Sequence, residues 1–186
     1  MFTPTELLEI KNLLIPENKI VILTHYNPDG DAIGSSLGLK HYLAAKGISA
    51  EVVVPNDFPK FLKWMPEAKK NIVAEYKRKV AADLVFEADV IFCLDFNSPS
   101  RIGILGDWLT KATAKKILID HHQQPENFDF VYSDTVIPAT CQMIYHFIEA
   151  MGDENLVNKD VADCLYTGIM TDTGGFRFRS TSATTH

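Results

Sequence analysis

The chain has 186 residues, 46% of them hydrophobic and 23% charged, a composition typical of a globular protein and not of a disordered one. This length suits one domain, or one domain plus an appendage, and is enough for a sizeable core. The formal net charge of −6 argues against a protein that holds nucleic acid through a broad basic face, although it permits a small nucleotide bound through metal ions.

The cysteines and the N-terminus indicate a reducing compartment. Cys93, Cys141 and Cys164 are far apart, form no CxxC pair and lie in apolar stretches, so we expect reduced cysteines in a core. The start MFTPTELLEIKNLL lacks the basic and apolar regions of a secretory signal, and no apolar run approaches the length of a membrane span. We therefore expect a cytoplasmic protein that does not associate with a membrane.

The first part of the chain predicts two helices and two strands. TPTELLEIKNLL has the pattern of a helix, and KIVILTH, short, apolar and β-branched, that of a buried strand. DAIGSSLGLKHYLAAKG predicts a second helix with Gly47 at its C-terminal end, and SAEVVVP a second strand.

The rest of the chain continues this alternation. The further predicted elements, in chain order, are helical KRKVAADLVFEA, strands DVIFCLDF and KKILIDHH, helices ATCQMIYHFIEAMG and KDVADCLYTGIMTDTGG, and a short strand over FRFRS. Strands that alternate with helices predict an α/β fold with a mostly parallel sheet flanked by helices.

Three of the predicted strands end in acidic residues or histidines. KIVIL leads into His25, DVIFCL ends at Asp95, and KKILI leads into Asp120, His121 and His122. Ligands of such sheets bind beyond the carboxyl ends of the strands, so these side chains should share one edge. The last predicted helix adds a further carboxylate, Asp172, near its C-terminus.

This set of side chains predicts a site for two divalent cations. Carboxylates suit hard cations, and imidazoles shift the preference towards transition metals. Four aspartates and two histidines at one edge would repel one another without cations. Two metals about 3.5–4 Å apart, bridged by a carboxylate, would relieve this repulsion and hold the oxygens of an in-line displacement at phosphorus. The predicted chemistry is hydrolysis of a phosphoester or phosphoanhydride.

Each motif also has a simpler explanation. Asp29 and Asp31 could form a turn and cap the helix that follows, because carboxylates favour that end of a helix. Asp95 could form a turn at the end of its strand, and His121 and His122 could be a surface pair. Asp172 could lie in a loop with Gly174 and Gly175. Four such coincidences at one edge would be needed, so the metal site is the favoured hypothesis.

Four stretches resemble, in order, the motifs of the DHH phosphoesterase superfamily. They are THYNPDGDAIGSSLGL, LDFNSPSRIG, LIDHH and GIMTDTGGFRF. Together they span Thr24 to Phe178, nearly the whole chain. In detail they are most similar to the branch of bacterial oligoribonucleases (nano-RNases) and pAp phosphatases.

The resemblance implies ligands for two metal ions, expected to be Mn²⁺, with Mg²⁺ or Co²⁺ as alternatives. One ion would be held by His25 and Asp29, the other by Asp31, His121 and Asp172, with Asp95 bridging both. Gly30 would let the backbone turn between the two aspartates of the first motif.

The resemblance also implies roles next to the metals. His122 would face the substrate phosphate and stabilise it or protonate the leaving group. Asp120 would orient a ligating imidazole, and direct contact with a metal stays open. From its position, Arg101 would bind phosphate as a guanidinium fork or form a surface ion pair.

The predicted protein is thus a DHH-type catalytic domain over residues 1–186, without the second, substrate-binding domain of the family. It would hydrolyse short oligoribonucleotides or pAp-like nucleotides by attack of a metal-bound hydroxide on phosphorus. The alternatives are a cyclic or linear dinucleotide phosphodiesterase, a pyro- or polyphosphatase, and a nucleotide-binding module with little activity alone. The expected partners are short RNA or small nucleotides, and a homodimer is left open.

Overall fold

A single sheet of six parallel strands runs through the centre of the protein. The structure, a computed structural model, describes residues 1–186. The strands are β1 (Ile20–Leu23), β2 (Ala50–Val54), β3 (Ile72–Val73), β4 (Val90–Leu94), β5 (Lys115–Asp120) and β6 (Phe130–Ser133). Their order in the sheet is β3-β2-β1-β4-β5-β6, and every neighbouring pair is parallel. The prediction of an α/β fold with a mostly parallel sheet is confirmed.

Helices cover both faces of the sheet. They are α1 (Pro4–Leu13), α2 (Gly30–Ala45), α3 (Arg78–Glu87), α4 (Ile104–Lys111), α5 (Thr140–Met151) and α6 (Lys159–Asp172). Alternate residues of β1 point to opposite faces, as strand geometry requires. Ile20 and Ile22 belong to the larger apolar core with α1, α2, α5 and α6, whereas Val21 and Leu23 belong to the smaller core with α3 and α4. None of these helices has both the length and the apolar character that a membrane crossing requires.

The sequence patterns missed three elements. β3 has only two residues, α4 has eight, and in β6 the buried Phe130 and Tyr132 alternate with the exposed Val131 over only four residues. Such short segments carry too little periodicity to be distinguished from loops. The sheet therefore extends by one strand on each side beyond the four predicted strands that belong to it.

The prediction of a strand over FRFRS is wrong. Residues 176–180 lie in turns. Gly174 and Gly175 have positive φ angles of 59° and 70°, which turn the chain back at the end of α6. The hydroxyl of Thr173 then accepts a hydrogen bond from the Phe176 backbone N–H at 2.9 Å, which holds the turn in place.

Glycines allow α2 and α6 to pack in close contact. Gly30, Gly34 and Gly38 recur at every fourth position along α2, and a Cβ on each would overlap an atom of α6. At Gly34 that Cβ would lie 2.6 Å from the carbonyl oxygen of Cys164. Gly30 opens α2 without a positive φ, so its predicted role as a turn residue is wrong: it lacks a side chain because Thr171 lies against it.

Replacing Gly34 with alanine is expected to lower the free energy of unfolding by about 1–3 kcal/mol, because the new methyl group overlaps α6. Helix propensity alone would change it in the opposite direction, by roughly 0.5–1 kcal/mol. Urea unfolding measures the sign. The control is Ala44→Gly at an exposed position of the same helix, where only the propensity cost should appear. A stabilised Gly34→Ala variant would contradict the close packing.

Candidate metal centre

The carboxyl ends of β1, β4 and β5 bring the predicted side chains of three motifs together. These three strands are neighbours in the sheet, so the residues that follow them are about 5 Å apart in the hydrogen-bonding direction. His25 follows β1, Asp95 directly follows β4, and His121 directly follows β5. Asp95 is buried and has a φ of 63°, an uncommon conformation for a residue with a side chain. Its backbone N–H donates to Ile119, which keeps the end of β4 against β5.

The two helices that pack through glycines supply the other carboxylates. Asp29 is the N-cap of α2, and its Oδ1 accepts hydrogen bonds from the backbone N–H groups of Asp31 and Ala32. Asp31 lies in the first turn of α2 and is fully buried, and Asp172 is the last residue of α6. The capping explanation for Asp29 is therefore correct, and it leaves the same carboxylate close to His25.

The side chains form two adjoining groups that share Asp95. In the first group, His25 Nε2 lies 3.8 Å from Asp29 Oδ1 and 3.5 Å from Asp95 Oδ2. The second group surrounds His121, whose Nε2 lies 3.4 Å from the other Asp95 oxygen, Oδ1. The same nitrogen lies 4.0 Å from Asp31 Oδ2 and 3.6 Å from Asp172 Oδ2. The two oxygens of Asp95 thus face different groups.

The carboxylates of this centre are short of positive charge. Burial, together with the charges of Asp95 and Asp172, raises the pKa of Asp31 well above its usual value. Burial and the charge of Asp95 also raise the pKa of Asp172 to about 6. Buried carboxylates that repel one another in this way are stabilised by cations. Oxygen and imidazole donors within 4.8 Å of one another fit divalent metal ions of the Mn²⁺ type.

The same carboxylates raise the pKa values of the two histidines. Burial disfavours the charged form of His25, but contacts with Asp29 and Asp95 outweigh it and raise its pKa to about 10. Burial likewise opposes the charge on His121, and Asp95 with its neighbouring carboxylates raises the pKa of His121 to about 9. Without a metal, both imidazoles are therefore in the positively charged form at neutral pH.

The N-terminus of α5 is a part of the centre that the sequence did not indicate. Asp31 Oδ2 accepts a hydrogen bond from the Thr140 N–H at 2.6 Å, and Oδ1 accepts one from the Cys141 N–H at 2.8 Å. The Thr140 hydroxyl donates to Asp95 Oδ1 at 2.9 Å. Recognising β6 as a parallel strand would have predicted this contact, because the helix that follows a parallel strand begins at the carboxyl edge of the sheet.

Asp120 and His122 form a pair beside the two groups. His122 Nδ1 lies 2.7 Å from Asp120 Oδ1 and 3.8 Å from Asp95 Oδ1. Asp120 is fully buried, belongs to neither of the two groups, and its Oδ2 has no hydrogen-bond partner in the chain. It therefore contacts the imidazole of His122 and not that of His121.

Arg101 lies at the rim of the centre. It belongs to a 3₁₀ turn over Pro99–Ile102, and its carbonyl oxygen accepts a hydrogen bond from the Tyr26 N–H at 2.8 Å. This bond holds the turn next to the His25 segment. The guanidinium makes no salt bridge, so the surface ion pair considered for Arg101 is not formed, and its contact with phosphate stays a prediction.

Binding of Mn²⁺ at neutral pH is expected to release at least about two protons, because metal-bound imidazole must be neutral and both histidines start protonated. The raised pKa of Asp31 adds to this release. The apparent affinity should rise with pH up to about 10, as protons stop competing first for His121 and then for His25. Calorimetry in two buffers of different ionisation enthalpy measures the released protons. Binding without proton release would contradict ligation by these imidazoles.

Comparison with known proteins gives relatives across nearly the whole chain. A bifunctional oligoribonuclease and PAP phosphatase, NrnA of Thermus thermophilus, is 37% identical over 168 residues, which are 89% of this chain and 47% of that protein. A cyclic-di-AMP phosphodiesterase, PdeA of Listeria monocytogenes, is 28% identical over 94% of this chain and 28% of its own length. The chain thus spans about half or less of these curated relatives.

A solved structure shares the fold closely. The crystal structure of an exopolyphosphatase-related protein from Bacteroides fragilis superimposes with a TM-score of 0.95 at 41% identity, covering 98% of this chain and 54% of that chain. The family model described as the DHH family, N-terminal domain, matches residues 19–169 and so contains most of the centre described above. The resemblance to the DHH family is confirmed, and the chain belongs to this family.

Proposed function

We propose that residues 1–186 form the catalytic domain of a two-metal phosphohydrolase that cleaves short oligoribonucleotides and pAp-like nucleotides. The observation that carries the proposal is the position of Asp95, whose two oxygens face two separate groups of donors. The oligoribonuclease and PAP phosphatase of Thermus thermophilus supports the choice of substrate.

We assign the metal ligands as follows. His25 and Asp29 would hold one ion, Asp31, His121 and Asp172 the other, and Asp95 would bridge them. A pair of divalent cations supplies charge neutralisation, a more acidic water and a clamp on the oxygens of a displacement at phosphorus. Mn²⁺ suits the mixed nitrogen and oxygen donors, with Mg²⁺ and Co²⁺ as the alternatives.

The remaining side chains would orient the ligands and the substrate. The amides of Thr140 and Cys141 hold the carboxylate of Asp31 in position, and the Thr140 hydroxyl holds that of Asp95. In His122, Nδ1–H would donate to Asp120, which leaves Nε2 available to a phosphate oxygen or to the leaving oxygen.

The proposal also includes a further contact with the substrate, the cellular location and the oligomeric state. Arg101 would contact a phosphate oxygen through its unpaired guanidinium. The three cysteines are free and buried, which supports a reducing, cytoplasmic location. A homodimer stays a prediction.

A second candidate function is hydrolysis of a cyclic or linear dinucleotide, which the match to PdeA of Listeria monocytogenes favours. Parallel assays with pAp, a short oligoribonucleotide, cyclic-di-AMP and pyrophosphate separate this candidate from the first one and from a pyro- or polyphosphatase. A chain that binds these compounds without hydrolysing any of them would be the nucleotide-binding module.

Asp95→Asn is expected to lower Mn²⁺-dependent hydrolysis of pAp by at least about 10³-fold, because one shared carboxylate serves both groups. The matched control is Asp107→Asn at an exposed position of α4, which should retain full activity. Activity of Asp95→Asn close to that of the unaltered chain would refute a bridging role.

His122→Gln is expected to lower kcat by about 10²–10⁴-fold and to leave Mn²⁺ affinity nearly unchanged, because His122 acts on the substrate and not on the metals. Steady-state kinetics together with calorimetry measure the two effects. A loss of Mn²⁺ affinity as large as that of Asp95→Asn would instead make His122 a metal ligand.

A further inference from the structure

One segment of this acidic chain is strongly basic. Residues 60–79 contain seven lysines and arginines and only two acidic residues, Glu67 and Glu75, although the whole chain has a net charge of −6. The segment runs from the 3₁₀ turn at Lys60–Leu62 through β3 into the first turn of α3. It therefore forms the outer margin of the sheet on the β3 side. A local excess of positive charge attracts phosphates even when the whole protein is negative.

Three lysines of this segment line one cavity. The cavity has a volume of about 250 Å³, and Lys63, Lys69 and Lys77 reach it from separate parts of the segment. Lys63 is paired with Asp57 at 2.8 Å, whereas Lys69 and Lys77 make no salt bridge. Two cations without a protein partner are thus available at one cavity.

A buried amide beneath the same cavity also lacks a partner. Asn71 lines the cavity and is only 7% exposed. Neither its Nδ2 nor its Oδ1 makes a hydrogen bond in the chain. Buried amides nearly always have partners, so an unsatisfied one with both a donor and an acceptor indicates a polar ligand at this place.

Aromatic side chains accompany the lysines. Tyr76 lines the cavity and is 69% exposed, and Phe61 and Trp64, on the segment that supplies Lys63, are 65% and 60% exposed. Exposed aromatics alternating with cations are the pattern of surfaces that bind single-stranded nucleic acid, with the rings stacking on bases and the cations facing phosphates.

Part of the cavity lining follows the carboxyl ends of β2 and β3, at the edge of the sheet that carries the metal centre. β3 is two strands from β1 in the sheet, a separation of about 10 Å. Two contacts connect the segments: the side-chain amide of Asn56, just before Asp57, donates to Asn27 Oδ1 at 2.8 Å, and the Tyr26 hydroxyl donates to Glu75 at 3.3 Å. Both Asn27 and Tyr26 belong to the motif that holds His25.

From these observations we infer that this cavity and its aromatic margin, residues 57–77, bind the part of a single-stranded oligonucleotide that extends away from the metal centre. Lys69 and Lys77 contact phosphates, and Tyr76 stacks on a base. The inference rests on the proposed function and narrows it: the surface contributes to binding of oligonucleotides of several residues, and a mononucleotide such as pAp does not reach it.

The test compares binding with hydrolysis. Binding of a fluorescently labelled pentaribonucleotide is measured by anisotropy in EDTA at several salt concentrations, and kcat/KM is measured with Mn²⁺ for the pentamer and for pAp. The variants are Lys69→Glu/Lys77→Glu and Tyr76→Ala. The control is Lys11→Glu/Lys111→Glu, which changes the net charge equally at exposed helix ends away from the cavity.

We expect the lysine double variant to bind the pentamer at least tenfold more weakly, with a salt slope less negative by about 1.4, the value for two lost phosphate contacts on a single strand. Tyr76→Ala should weaken binding roughly fivefold or more. In both variants kcat/KM for the pentamer should fall in proportion while that for pAp stays unchanged, and the control should match the unaltered chain.

Two sets of results would overturn the inference. The first is equal pentamer binding and an equal salt slope in the variants, the control and the unaltered chain. The second is an equal fall in kcat/KM for the pentamer and for pAp, which would place the lysines at the catalytic centre. Absence of any hydrolysis by the unaltered chain would refute the proposed function alone, because binding in EDTA does not depend on catalysis.

Discussion

The buried carboxylates of Asp31 and Asp95 are the constraint on which the rest of the centre depends. Burying a carboxylate is unfavourable unless hydrogen bonds or opposite charges surround it. Two backbone N–H groups of α5 meet this requirement for Asp31 in part, and its pKa stays raised. The Thr140 hydroxyl and the imidazoles of His25 and His121 meet it for Asp95. These contacts determine where α5 begins and how the strand ends are arranged.

The packing of α2 on α6 transmits this requirement to the rest of the fold. Asp31 lies in the first turn of one helix and Asp172 is the last residue of the other, so the two carboxylates meet at the centre only if the helices are in close contact. The glycines of α2 permit that contact, and Gly168 of α6 leaves room for Asp31 and Cys141. A larger residue at the α2 glycines would displace α6, whereas a side chain at Gly168 would press directly on Asp31 Oδ1.

Charge is divided unevenly along the carboxyl edge of the sheet. The middle strands carry a concentrated negative centre, and the β3 margin carries free lysines and exposed aromatic rings. A polyanionic substrate would be repelled by the bare centre and attracted by the margin. With cations in the centre, both parts favour phosphate. The low net charge of the whole chain conceals this division, which is why composition alone argued only against a broad basic face.

Local pattern was sufficient for much of the fold and of the candidate centre. The apolar runs of β1, β4 and β5 indicated buried parallel strands, and the rule for their carboxyl ends grouped His25, Asp95 and His121. Long-range contacts decided the rest. β3 and β6 are too short to have a period of their own and exist as strands because β2 and β5 pair with them. Thr140 joined the centre through contacts across 45 residues of sequence, and the partnerless amide of Asn71 exists only in the folded chain. Hydrogen-bond partners that are distant in sequence leave no periodic signal, so only the tertiary structure could identify them.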